Sequence, residues 1–416
     1  MAEAEEGVVI VGAGIAGLAT AAALTRMGVR GVIVLEKSHE LHTTGAVISI
    51  FPNGWRALRA LGVAHKLANN YPSYKMSRVM NLETGETREI NLTGTMDRVG
   101  IGVRTIHRKV LLSALAEELP PDTIRFSSKL VSVRSADPED STSHFISLHL
   151  DNGSIIKTKV LIGCDGVHSV VAQWLGLSAP IDSDRSAVRG LAEFSERHGF
   201  QHQLHQYISH DKMAGFVPVN DREVYWFISH DTSHRDREMT RHPKLIIRQV
   251  TRRLARGFPD EFLDVVRNTD PSTLTWTQIH DRAPWALLLG PWAHMGRATV
   301  LGDALHPTTV APDLPLGGCA ALELEDAVVL ARHVGPALTC ADVGAEEALA
   351  AYVSERRWRV VGLAAGAYVA RWAQRGAGGA RYSFRRRLVE WVLRRFVGPR
   401  MIEAVNYDCG DLDEMD

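Results

Sequence analysis

At 416 residues, with 45 % hydrophobic and 23 % charged side chains, the chain has an ordinary globular composition, which excludes a disordered, collagen-like or polytopic membrane protein. Its length calls for two domains rather than one. Forty-seven Lys and Arg against 48 Asp and Glu leave a net charge of −1, so no basic field gathers a nucleic acid, and small neutral or weakly acidic ligands are the expected partners. Cys164, Cys319, Cys340 and Cys409 lie far apart without a CxxC pair, the pattern of reduced thiols, and the expected location is cytoplasmic. Gly7–Thr25 carries no charge and approaches the length of a membrane span, but its glycines and the preceding Glu3, Glu5 and Glu6 read better as a buried strand, a tight turn and a helix.

In chain order, Val8–Val11 reads as a strand, Ile15–Met27 as a helix and Val32–Leu35 as a second strand. Asn53 is expected to cap a helix over Trp55–Leu61, closed by Gly62, and Arg108–Leu119 forms another helix stopped by Pro120-Pro121. From Ile124 the pattern turns to short strands, with Asp151-Asn152-Gly153 as a hairpin turn between Phe145–Leu150 and Ser154–Ile162. Residues 180–285 read as a mixed domain with strand-like runs such as Glu223–Ser229 and a helix near Lys244–Gly257. A strand at Thr299–Leu301 and helices over Cys319–Val334 and Glu346–Gln374 resume the first pattern. The glycines of Arg375–Arg381 suggest a hinge before a last, basic amphipathic helix carrying Phe384, Leu388, Trp391 and Arg385–Arg387, read as a brace between domains in preference to a membrane-surface helix. The expected fold class is α/β: a Rossmann-like nucleotide-binding domain with an inserted β-meander, a mixed β-sheet substrate domain and C-terminal helices, divided as 1–179, 180–285, 286–375 and 376–416.

Gly12-Ala13-Gly14-Ile15-Ala16-Gly17 follows a strand and opens a helix, the context in which GxGxxG signals a dinucleotide. Gly12 permits the turn, Gly14 lets backbone approach a pyrophosphate, Gly17 lets helix pack on strand, and the helix start at Ile15 and Ala16 faces the anion. Glu36, at the end of the second strand with Lys37 beside it, stands where an acid accepts ribose hydroxyls. Two later strands, in VLIGCDGVHS (Val160–Ser169) and ATVLGDALHP (Ala298–Pro307), end in Asp165-Gly166 and Gly302-Asp303. A long two-part cofactor such as FAD uses such a pair of strand ends, one for the diphosphate and one for the ribityl chain, whose hydroxyls suit Asp303.

With these motifs in order, the chain resembles the single-component FAD-dependent aromatic hydroxylases of the salicylate, hydroxybenzoate and urate hydroxylase type, in their plant monooxygenase branch. Gly45–Ser49 with Pro52-Asn53-Gly54 is similar to the family's flavin-side loop, Ile106-His107-Arg108 to its flavin-contacting arginine, and Leu130 to a backbone contact to adenine. Tyr407–Leu412 resembles the plant branch's C-terminal tag. The resemblance implies FAD as resident cofactor, with Ser49, Arg108, Leu130, Pro312, Gly317 and Gly318 joining the motif residues, and NAD(P)H as a visiting reductant, since no second GxGxxG is present. It implies that oxygen adds at flavin C4a and that the hydroperoxide transfers its distal oxygen to a small aromatic, phenolic substrate.

The chain also departs from the family. Ala172 stands where an arginine is usual, and Thr308–Cys319 lacks the glutamine of the family's GQG turn and is longer by two residues. A second lengthening falls at Leu322-Glu323-Leu324-Glu325-Asp326. Before Gly215, Met213-Ala214 replaces a usual arginine, which argues against a urate-like anion. Tyr207, Phe216, Pro218, Tyr225, Trp226 and Phe227 are either an apolar wall over a ring or plain core. His198, His202, His205 and His210 invite a metal site through HxxxH spacing, but no carboxylate is fixed beside them and no metal is expected. His205, His210 or Tyr207 is the candidate base for a phenol. Two alternatives stay open: an FAD-dependent reductase or epoxidase, and an FAD-binding protein with impaired oxygenase activity serving as a sensor or binding module.

Overall fold

The computed structural model describes residues 3–41, 47–92, 102–135, 145–209, 211–232, 243–290, 293–307, 319–339, 344–374 and 403–412. Its first body is built from β1 (Glu3–Val11), α1 (Ile15–Arg26), β2 (Val32–Leu35), α2 (Arg108–Ala116), β3 (Ile155–Gly163), β4 (Ala298–Val300), α3 (Cys319–Thr339) and α4 (Ala345–Gln374). β1 lies between β2 and β3, parallel to both, and β4 joins β3 in parallel. Val8–Val11 and Val160–Ile162 are buried throughout, the continuous apolar run that a parallel strand needs when helices cover both faces. The meander expected after Ile124 is present: Leu130–Arg134, Ile146–Leu150 and β3 pair antiparallel, and Gly153 turns the hairpin at φ +81°.

A second sheet has seven strands in the order Thr275–Asp281, Ile181–Glu193, Glu223–Asp231, Lys212–Pro218, Leu204–Ile208, Met76–Asn81 and Thr87–Asn91. It is mixed, as expected, because Leu204–Ile208 runs parallel to Met76–Asn81 while the other pairs are antiparallel. The expected division at residue 179 needs correction here. Two strands from before residue 92 complete this sheet: Met76–Asn81 finds its backbone partners in Leu204–Ile208, more than a hundred residues away, and Thr87–Asn91 pairs at the edge with Met76–Asn81. A three-stranded sheet of Val47–Ile50, Val103–His107 and Ser73–Tyr74 lies at the junction, where Tyr74 and Val103 pack on Val217 and His107 Nε2 lies 3.3 Å from Glu223.

Several local expectations shift. The helix at Asn53 runs over Pro52–Ala60 with Phe51 in the cap position. Proline suits a first turn because its missing N–H has no partner there, and Asn53 is free to send its amide to Glu325, 2.7 Å away. The helix from Arg108 ends at Ala116, and that near Lys244 spans Pro243–Gln249 and continues as a π-helical turn over Val250–Leu254. The 375–381 hinge and the basic helix after it lie outside the described residues.

α3 is fixed by buried charge. Asp326 accepts from Arg356 Nε at 2.7 Å, from the Gly302 amide at 3.0 Å and pairs with His306 Nε2 at 2.5 Å. Glu325 meets Arg359 at 2.6 Å and Arg356 at 2.9 Å. The C-terminal Tyr407 segment docks on this knot: Arg359 donates to the Ala404 carbonyl at 2.8 Å and lies 4.0 Å from the Tyr407 ring centre, while Arg332 donates to Cys409 at 2.9 Å. Replacing Arg356 by Met leaves buried Asp326 without its guanidinium and Glu325 with Arg359 as its remaining arginine, and the expected loss is about 3–5 kcal/mol of unfolding free energy. Urea denaturation of the FAD-free protein measures it; a loss below about 1 kcal/mol contradicts the assignment of this network as a stability determinant.

Candidate functional site

The carboxyl ends of β1, β3 and β4 bring the three motifs to one edge of the sheet, because Val11 pairs with Gly163 and Gly163 with Val300. Gly12 is at φ +101°, and a Cβ there would stand 2.5 Å from the Cys164 carbonyl oxygen. A Cβ at Gly17 would stand 1.8 Å from the Gly12 oxygen. At Gly14, by contrast, it would meet nothing within 4 Å. Two glycines are thus required by packing and the third leaves space open in front of α1, whose N-cap, Gly14 itself, has no side chain to cap the first-turn amides. That open cradle at a helix N-terminus fits a diphosphate.

Glu36 is buried under the turn. Its Oε2 accepts from the Ala13 amide and its Oε1 from the Ser38 amide, both at 2.9 Å, so the carboxylate braces the glycine loop and retains lone pairs toward ribose hydroxyls. Lys37 is exposed. Leu130 is buried in its strand opposite Leu150, and the neighbouring Ser128 amide donates to Glu36 O at 2.8 Å, which draws this segment to the end of β2.

Asp165 has a different part from a simple ligand position. Its carboxylate accepts from Ser169 Oγ, from the Val170 amide at 2.7 Å and from the Val171 amide at 3.3 Å, closing the start of the Val170–Trp174 helix. Gly166 turns beside it at φ +78° with open space where a Cβ would be. Ala172 is buried in that helix, its amide held by Ser169 Oγ at 2.8 Å.

Gly302, at φ +61°, packs so closely that a Cβ would stand 2.8 Å from Ala16 Cβ and 3.2 Å from Glu323 Cγ. Burial raises the Asp303 carboxyl above the ordinary range, against the opposing fields of His306, Arg108 and Arg189. Glu323, from α3, accepts from the Ala16 amide at 3.1 Å. Burial, then the neighbouring Asp303, push its carboxyl up to about 8, with Arg108 opposing. Asp326 goes the other way: burial works to raise it, and His306 and Arg356 overcome that and hold it well below the usual carboxylate range. Ser49 sits on the small junction sheet with its Oγ 3.0 Å from Thr105 Oγ1. Pro312, Gly317 and Gly318 lie outside the described residues.

The second sheet has two faces, set by register. Tyr207, Phe216 and Trp226 share one, packed against Phe258, Phe262 and Val266, so that half of the aromatic set is core. Tyr207 donates to Glu261 Oε1 at 2.5 Å, and burial, then that bond, raises its hydroxyl far above the ordinary range. His205 stacks on Phe216 with ring centres 4.3 Å apart, and burial lowers its imidazole. Both candidate bases therefore sit on the face turned from the nucleotide motifs; His210 lies outside the described residues. The opposite face presents Arg189, Val217, Tyr225 and Phe227, and Tyr225 and Val217 pack toward the first body. The HxxxH spacing does not fall on a helix: His198 Nε2 meets Asn220 O at 2.7 Å and His202 Nε2 meets Pro72 O at 3.0 Å.

This arrangement matches known proteins. The FAD binding domain family model matches residues 5–366. The chain belongs to this family, as an FAD-dependent monooxygenase. Monooxygenase 2 of Arabidopsis thaliana is 36 % identical over 98 % of this chain and 99 % of that protein, and Monooxygenase 1 of the same plant is 37 % identical over 98 % and 100 %. The crystal structure of Klebsiella pneumoniae HpxO complexed with FAD and uric acid shares the fold, with a TM-score of 0.77, 24 % identity and coverage of 99 % of this chain and 98 % of that one. FAD is the family's cofactor, and the Gly12–Gly17 cradle, Glu36, and the Gly302-Asp303 end of β4 are the residues that fit it. Among the described residues no helix is long and apolar enough to cross a membrane.

Sequence reasoning missed Arg189, Glu323, His306, Asp326 and Arg356. Glu323 and Asp326 left a trace in the lengthened Leu322–Asp326 segment and His306 in the run Ala298–Pro307; Arg189 and Arg356 left none. The glycines give a sharp test of the FAD-dependent monooxygenase's cradle. Gly14→Ala is expected to fold with an unfolding midpoint near wild type and to bind FAD about tenfold or more weakly, because the new methyl enters ligand space. Gly17→Ala is expected to lose folded protein outright. Thermal unfolding and fluorescence titration with FAD separate the two, and equal behaviour of both variants refutes the distinction.

Proposed function

We propose that the protein hydroxylates a small phenolic ring at the expense of NAD(P)H and dioxygen. The observation that carries this reading is the second-sheet face: Tyr225 and Phe227 offer an aromatic wall, with Arg189 opposite Phe227 in register and close enough to Asp303 for its charge to act there. A flat ring suits such a wall, and one guanidinium beside it stabilises a phenolate oxygen and so favours loss of the phenol proton. The stretch before Gly215 is Met213-Ala214, which carries no cation and supports a phenol over a multiply charged anion. FAD, when bound, supplies the reduction by NAD(P)H and the activation of oxygen. The protein's residues hold and orient the substrate ring, and the junction packing of Tyr74, Val103 and Val217 excludes water.

Purified FAD-loaded protein is expected to oxidise NAD(P)H faster when the right phenol is added and to place one atom of labelled dioxygen in the product. Arg189→Met is expected to raise KM for that phenol about tenfold with a smaller change in kcat. No stimulation by any member of a broad phenol panel sinks the proposal.

A further inference from the structure

Two acids of α3 stand one helical turn apart, and each takes a backbone amide from a different nucleotide motif: Asp326 that of Gly302, Glu323 that of Ala16. The Ala16 amide is in the first turn of α1, the group a bound diphosphate uses at such a helix start. Gly14 cannot cap that turn. The Glu323 stem lies beside both α1 and Gly302, since a Cβ on Gly302 would stand 2.8 Å from Ala16 Cβ and 3.2 Å from Glu323 Cγ. Glu323 therefore adjoins both the stretch that fits the diphosphate and the Gly302-Asp303 stretch that fits the ribityl chain.

We propose that Glu323 is an internal stand-in for the FAD diphosphate, holding the Ala16 amide of α1 in the FAD-free protein, and that FAD enters only as this carboxyl gives way in its neutral form, so that FAD uptake is coupled to a proton. This rests on the FAD assignment above. An ionised carboxylate beside a diphosphate is repelled, whereas a neutral carboxyl is not and can donate a hydrogen bond to a phosphate oxygen. The charged groups facing Glu323 are Asp303 at the end of β4, Asp326 on its own helix and Arg108 at the start of α2; the thiol of Cys164 at the end of β3 also feels its charge. Asp303 and burial favour the protonated form, and Arg108 opposes them. With the carboxyl titrating at about 8 in the FAD-free state, it is neutral at lower pH and ionised above.

Fluorescence titration of the FAD-free full chain with FAD, between pH 6.5 and 9, tests this. Wild type is expected to show a Kd that is flat up to about pH 7.5 and then weakens as pH rises through 8, with a slope approaching tenfold per unit. Glu323→Gln is expected to bind more tightly at pH 9 and with no such slope, and Glu323→Ala to do the same if the amide variant folds poorly. Calorimetry of wild type at pH 8.5 in buffers of differing ionisation enthalpy is expected to report net proton uptake on FAD binding, a readout independent of any variant. A flat wild-type Kd, or a slope kept in Glu323→Gln, overturns the proposal while leaving the FAD assignment intact. Folded protein that takes up no FAD at any pH, in wild type and variants alike, overturns both.

Discussion

Asp326 holds Gly302 and His306 with one oxygen and Arg356 with the other, and the position of the whole cofactor edge depends on those three contacts. An ion pair with no water around it is costly to assemble and gains its value only when every polar atom is matched. Here the groups that meet Asp326 come from the Gly302–His306 stretch after β4 and from α4, segments brought together by this network and the apolar packing around it. Because Asp326 fixes the Gly302 amide, it also fixes where Asp303 begins, and through the close contact of Gly302 with Ala16 it sets the distance between the first and last motifs. Glu325 extends the same restraint to Asn53 and Arg359, and the C-terminal Tyr407 segment closes over the cations.

What could be read from the sequence is what local stereochemistry dictates. Gly12 and Gly17 are glycines because a Cβ would strike backbone a few ångströms away, and a motif of that kind is visible wherever strand and helix flank it. The turn at Gly153 and the buried runs of β1 and β3 are legible for the same reason. Long-range polar partnerships leave no such mark. Asn53 has the identity of a helix cap, yet its amide is claimed by Glu325 across the fold. Asp165 lies two residues beyond the end of β3, and its oxygens are spent on the next helix's amides. Nothing near Met76 in sequence announces that its strand pairs beside Leu204.

The second sheet shows a different limit. Alternation along a strand tells which residues share a face, but not which face meets the neighbouring domain. Tyr225 and Trp226 differ by one position and point to opposite sides, one toward the nucleotide body and one into a core of phenylalanines. Choosing Tyr207 and His205 as chemistry-bearing residues amounted to choosing a face, and the helix Asp260–Arg267, which covers theirs, settled it. Arg189 was passed over because a single arginine in a long strand carries no signal until its register beside Tyr225 and Phe227 is known.

A helix start with glycine at its cap has a problem when its ligand is away: its amides point into a cleft with no side chain to take them. A carboxylate from a neighbouring helix solves that in the empty protein, since it presents the same oxygen geometry as a phosphate. The same choice places a negative charge where an anionic ligand must come. The two demands conflict only if the carboxylate stays ionised, and Asp303 and burial work against that while Arg108 limits how far the balance moves. Glu323 can therefore alter how the cofactor is admitted and leave the scaffold as it was, because it and Asp326 sit at separate helical positions and take different backbone amides, while Glu325 turns to Arg356 and Arg359.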